Sequence, residues 1–155
     1  MDTTTFLLPA DLAAGKPGTT LTWGQAYGCA PALLLAELQQ QLQGPALVIV
    51  PTVAEAEALE AQLAFFAGQS NSNILLPDPE TLPYDSFSPH QDLVSRRLSV
   101  LASLLSGQSF FCVVAVPTLF YRLPPRNYIR NFSLQLATGE HTGLEQLHTQ
   151  LTASG

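Results

Sequence analysis

Basic residues are scarce in this chain of 155 residues: one lysine, Lys16, and five arginines face twelve acidic residues, for a formal charge of −6. Holding a nucleic-acid backbone rests on clustered Lys and Arg, so this deficit argues against the chain gripping DNA by itself. Charge of either sign is thin, at 12% of the residues against the roughly 25% usual in soluble domains. A surface so poor in charge implies that further protein normally covers part of it. Cysteine is almost lacking as well. Cys29 and Cys112 have no C-x-x-C spacing and lie in apolar stretches, which points to buried free thiols in a reducing compartment and away from a secreted disulfide scaffold. No apolar run approaches ~18 residues and no cleavable leader opens the chain, so neither a membrane span nor export is expected, and a cytoplasmic location is.

What the chain does have is apolar bulk, 46% of its residues, enough for one α/β domain with room for the start of another. Its first informative stretch is GQAYGCAP, from Gly24 to Pro31. A working phosphate loop reads G-x-x-x-x-G-K-[ST], in which lysine meets the β/γ oxygens and the hydroxyl meets Mg²⁺. Here Ala30 stands in the lysine slot, Pro31 in the hydroxyl slot and Cys29 in that of the second glycine, with Gly28 one place early. Neither Ala nor Pro supplies the missing groups, and Pro31 also removes a backbone N–H from the helix terminus. ATP hydrolysis and a bound cofactor are therefore not expected.

Around this turn, TTLTW (Thr19 to Trp23) reads as a first strand, and leucines at helical spacing from Pro31 to about Gln43 as a helix. ALVIV (Ala46 to Val50) has no polar alternation and predicts a parallel strand covered on both faces. Thr52 and Glu55 form a capping box opening a helix that Gly68 closes. Asn73 to Leu76 reads as a short strand. Leu76 to Asp92 carries four prolines and cannot be regular structure; Ser88 as N-cap and Pro89 at the first helical position then start a helix to about Ser106. FFCVVAV (Phe110 to Val116) is the strongest strand. A helical turn follows through Tyr121, then a half-exposed strand at Phe132 to Leu136 and a helix on Leu144, Leu147, His148 and Leu151. The order predicts a doubly wound, mostly parallel sheet with helices on both faces, whose ligands would sit at the carboxyl ends of the strands. The final TASG ends a helix without closing a fold, so the expectation is a piece of something longer.

Asp85, Ser86, His90 and Asp92 invite a hydrolase reading, but they crowd into eight residues and no G-x-S-x-G elbow precedes Ser86. The better reading makes Tyr84 and Phe87 anchors of an irregular loop, with Asp85 and His90 satisfying its backbone. His141 and His148 lack the H-x-x-x-H spacing of a helical metal site, so no metal is expected. Arg122, Arg126 and Arg130 recur every fourth residue, yet Pro124 and Pro125 prevent a single helical stripe. They form a solvated face or a contact with an acidic partner or nucleic acid.

The stretch LPDPETLPYDSFSPHQDLVSRRLSVL, preceded by GPALVIVP and followed by VVAVPTLFYRLPP, resembles the N-terminal region of the bacterial transcription-repair coupling factors, the Mfd family. The motif that carries the resemblance comprises Asp78, Glu80, Thr81, Leu82, Pro83, Tyr84, Asp85, Phe87, Ser88, Pro89 and His90. The resemblance implies a RecA/UvrB-like first domain over residues 1–125 with a degenerate phosphate loop, and the start of an inserted UvrA-binding domain over residues 126–155. It implies other domains of the parent protein as partners, UvrA through the following domain, and RNA polymerase and DNA through other parts only.

Two functions remain in view. One is a non-catalytic interaction module of a coupling factor, which would serve as scaffold for UvrA recruitment and for interdomain regulation of the ATP-driven motor that displaces stalled RNA polymerase. The other is a cryptic nucleotide-binding or DNA-contacting domain in which Tyr84, Phe87 and His90 touch nucleic acid.

Overall fold

A computed structural model describes residues 18–67, 74–81, 85–132, 139 and 143–154. Helix α1 spans Ala30–Gln39, strand β1 Ala46–Val50, helix α2 Val53–Ala67, strand β2 Ile74–Leu75, helix α3 Gln91–Leu105 and strand β3 Phe111–Ala115. A 3-10 turn over Pro117–Phe120, helix α4 over Arg126–Phe132 and helix α5 over Leu144–Ser154 complete the order.

The three strands form one parallel sheet in the order β1-β3-β2, with Val48 opposite Val113 and Leu75 also opposite Val113 on the other side. The chain crosses from β1 over β3 to β2 through α2, then returns to β3 through α3. Crossovers share one hand, so reversing the direction of travel puts the two helices on opposite faces. One core accordingly gathers Ala32 and Leu38 of α1, Leu59 and Leu63 of α2, and Leu75, Phe111 and Val113 of the sheet. The other sets Val100 of α3 against Leu76, Cys112 and Val114. This is the α/β parallel architecture expected from the sequence, and β3, buried at every position, is its centre.

Local chemistry fixes several boundaries. The Thr52 hydroxyl accepts from the Glu55 amide over 3.2 Å, which is the hydroxyl half of the expected capping box. Gly44 has φ of +126°, a conformation that side chains resist, and its amide donates to the Ser109 hydroxyl, which in turn donates to the Leu42 carbonyl. The turn before β1 is thereby tied to the residues leading into β3.

Several expectations need correction. Residues 19–23 form no strand, and Leu21 and Trp23 are exposed. Their β-formers have no strand to pair with among the described residues, and β propensity without a ladder fixes nothing. Nor is β1 covered on both faces: Leu47 is 52% and Ile49 53% exposed. Helix α3 starts at Gln91, with His90 as N-cap accepting at Nδ1 from the Asp92 amide, two positions past the expected cap Ser88. Cys29 is exposed, and only Cys112 is a buried thiol. Residues 126–132 form helix α4. The strand expected at 132–136 falls, beyond Phe132, outside the described residues, as do Gly68 and Asn73.

Candidate functional site

The motif loop leaves β2 at its carboxyl end, the edge where open parallel sheets hold ligands. Pro77 and Pro79 are buried and remove two backbone donors from a segment that has no ladder to satisfy them. Asp78 organises what remains. Its Oδ1 accepts from the Glu80 amide at 3.0 Å, which holds Glu80 at φ of +60°. Its Oδ2 accepts from the Thr118 hydroxyl at 2.8 Å, and Thr118 is 1% exposed. The Tyr121 hydroxyl donates to the Thr81 carbonyl at 2.7 Å. The loop after β2 is thus sewn to the turn after β3 at two points.

A third stitch comes from helix α3, whose Arg97 guanidinium donates to the Pro77 carbonyl. Partial burial of this cation lowers its pKa from the ordinary value, and the charges of Asp78 and then Tyr121 oppose that shift. These contacts use Asp78 and Thr81 for architecture. None of them was legible from motif reading, because the partners lie twenty or forty residues away in the chain.

Beyond Thr81 the loop is held loosely. Asp85 Oδ1 accepts from the Ser86 amide, and the ring of His90 faces Asp92, as expected of residues that satisfy backbone. Phe87, expected as an anchor, is 77% exposed and anchors nothing. Leu82, Pro83 and Tyr84 lie outside the described residues. No hydrogen bond joins Ser86 to His90 among the described residues, so the hydrolase constellation does not assemble. His148 is exposed on α5, His141 lies outside the described residues, and no metal-holding group of three side chains occurs among the described ones.

The glycine turn sits at the start of α1. Gly28 has φ of +61° and Gln25 +62°, and Pro31 occupies the first turn of a helix that begins without a side-chain cap. A Cβ added at Gly24 or Gly28 would meet nothing within 4 Å. No strand leads into the turn.

The three spaced arginines divide as Pro124 and Pro125 demand. Arg126 and Arg130 share helix α4, whose Ile129 is buried, while Arg122 lies in the extended segment before it. All three are exposed and make no ion pair with a described residue. Arg122 joins Arg97 in lining an open groove of about 130 Å³, which sequence reasoning missed. Val94, Leu98 and Leu101 of α3 form one wall. Leu123 and three prolines, Pro79, Pro89 and Pro124, complete it.

No family model matches the chain. Individual relatives do. The chain is 38% identical over 140 residues to the transcription-repair-coupling factor of Escherichia coli, and the match covers 90% of this chain and 12% of that protein. The chain is a homologue of one segment of the transcription-repair-coupling factors. The Haemophilus influenzae coupling factor is 35% identical over the same share, and that of Myxococcus xanthus 31% identical over 83% of this chain. The chain spans about an eighth of the length of these relatives. The matched part includes at least some of the region that holds the stitched loop and the glycine turn, since 90% of the chain leaves few residues outside it. No helix among the described residues of this chain is long and apolar enough to cross a membrane.

Proposed function

We propose that this segment is a non-catalytic scaffold of a transcription-repair-coupling factor, a RecA/UvrB-like first domain against which other parts of the parent protein dock. In this reading residues 1–125 form that domain and residues 126–155 open the inserted UvrA-binding domain. UvrA recruitment and interdomain regulation of the ATP-driven motor are the tasks it serves, in the cytoplasm; RNA polymerase and DNA are met by other domains.

The observation that carries the reading is the asymmetry of the sheet. At the β2 edge, Glu60 of α2 accepts from the outward Leu75 amide at 3.3 Å, and Arg96 of α3 approaches the same carboxylate at 3.7 Å. Side chains block that edge. At the other edge β1 has no neighbour beyond it among the described residues, and its Leu47 and Ile49 are half exposed on the face that α3 leaves uncovered. Parallel sheets are stable when both faces are covered. A bare aliphatic face beside an open edge supports docking of further protein there, as does the low charge of the chain. Ala30 and Pro31 in the lysine and hydroxyl slots speak against nucleotide chemistry at the glycine turn.

A thermal melt with and without millimolar ATP and Mg²⁺ tests the non-catalytic part. A ligand present at ~100 times its dissociation constant adds roughly 2.7 kcal/mol to a folded state. The expected result is no shift; a rise of several degrees that is lost on changing Gly24 or Gly28 would overturn it. Hydrogen exchange in the full-length coupling factor tests the docking: the amides of Leu47 and Ile49 should be slowed relative to the isolated chain, and equal exchange would sink the scaffold reading.

A further inference from the structure

The groove between α3 and the Arg122 segment is separate from the sheet face and from the glycine turn. Its described lining is aliphatic and proline-rich apart from Arg97 and Arg122, and contains no aromatic residue. Val94, Leu98 and Leu123 stay 41%, 42% and 50% exposed around it, which is apolar surface left without cover. At about 130 Å³ it is close to the ~150 Å³ that accommodates benzene in an apolar protein cavity, so one branched aliphatic side chain fills it.

The two cations differ in what they have free. Arg97 already donates to the Pro77 carbonyl and sits beside Asp78. Arg122 is exposed and makes no ion pair with a described carboxylate. Asp78 and Glu80 flank the lining residue Pro79: the Asp78 carboxylate accepts from the Thr118 hydroxyl and the Glu80 amide, while the exposed Glu80 side chain makes no ion pair with a described residue. An acidic group of a partner therefore meets in Arg122 a guanidinium with no ion pair to a described residue. A planar guanidinium selects carboxylate or phosphate in bidentate fashion. A nucleic-acid strand would additionally want aromatic faces for its bases and a track of cations, and the described lining offers no aromatic residue and only two cations.

We propose that this groove binds a short segment of another protein, inserting one leucine-like side chain between Val94, Leu98 and Leu123 while an adjacent carboxylate pairs with Arg122. The test uses the whole chain and a fluorescein-labelled, end-capped peptide with one leucine flanked by glutamates in a Gly-Ser background. Two control peptides replace the glutamates by glutamine or the leucine by serine. Saturable anisotropy change is expected only with the first peptide, weakened by salt. Arg122→Gln should weaken it about tenfold, the loss of one charge-assisted contact, while Arg130→Gln leaves it unchanged. Leu98→Gln should weaken it as well, with methyl resonances of Val94 and Leu123 shifting on titration in the parent chain. Arg122 is exposed, so its variant should keep the parent melting curve, and that is checked directly. Absence of saturable binding, equal binding of the control peptides, indifference to Arg122→Gln, tighter binding of a single-stranded oligonucleotide, or a self-association that depends on Arg122 would each overturn the proposal.

Discussion

The Thr118 hydroxyl donates to Asp78 over 2.8 Å, and this one bond joins the end of β2 to the turn after β3 across forty residues of chain. Thr118 is 1% exposed, so the bond lies where water cannot replace it. Thr118→Val keeps the shape and removes the donor. Urea unfolding should show a loss of about 1–2 kcal/mol, and Asp78→Asn combined with it should lose less than the sum of the two single changes.

Arg97 gives a second measurable stitch. Arg97→Met preserves most of the apolar stem and leaves the Pro77 carbonyl without its donor. The expected cost is about 1–3 kcal/mol, with Arg97→Lys recovering part of it, because an ammonium can donate but lacks the planar fork. Equal stability of all three proteins by denaturant unfolding would show the contact to be idle.

On α1, Gln39 is 5% exposed and its side-chain amide has no partner among the described residues. A buried polar group without a hydrogen bond costs about 1–3 kcal/mol. Gln39→Met keeps the length and flexibility of the side chain and removes that penalty, so the melting temperature should rise. A fall would mean that the amide has a partner.

The two cysteines should separate kinetically. Burial pushes the Cys112 thiol from 9.0 up to about 11, whereas Cys29 is exposed. Alkylation near neutral pH should modify Cys29 promptly and Cys112 only on unfolding. Because the folded-state value of Cys112 is raised, its contribution is intact below pH 9.0 and is lost as pH rises toward about 11. Comparing the parent with Cys112→Ala over that window, the parent should lose roughly 2–3 kcal/mol more.

The exposed and buried faces of the sheet predict opposite responses. Leu63→Ala, at a site with no exposure, should cost about 2–5 kcal/mol. Ile49→Thr in the isolated chain should change stability by less than about 0.5 kcal/mol, since half of that side chain already meets water. A large loss at Ile49 would mean that the face is covered in the isolated chain.

Sequence by itself determined what depends on near neighbours. The unbroken apolar run of β3, the α2 capping box at Thr52, the proline-bound irregularity after Leu76 and the order of elements from α1 to β3 follow from periodicity, hydroxyl caps and missing amides, all of them effects within a few residues. The family resemblance rested likewise on a contiguous motif. Tertiary structure decided everything that needs a distant partner. TTLTW has strand chemistry and no ladder, while ALVIV has the composition of a covered strand but lies at an edge with one face bare. The ties of Asp78, Thr81 and Pro77 to Thr118, Tyr121 and Arg97, and the groove beside Arg122, exist because α2 and α3 carry the chain over opposite faces of the sheet. No local pattern encodes which side chains that winding brings together, because the closure of such long loops is settled only by the packing of the whole core.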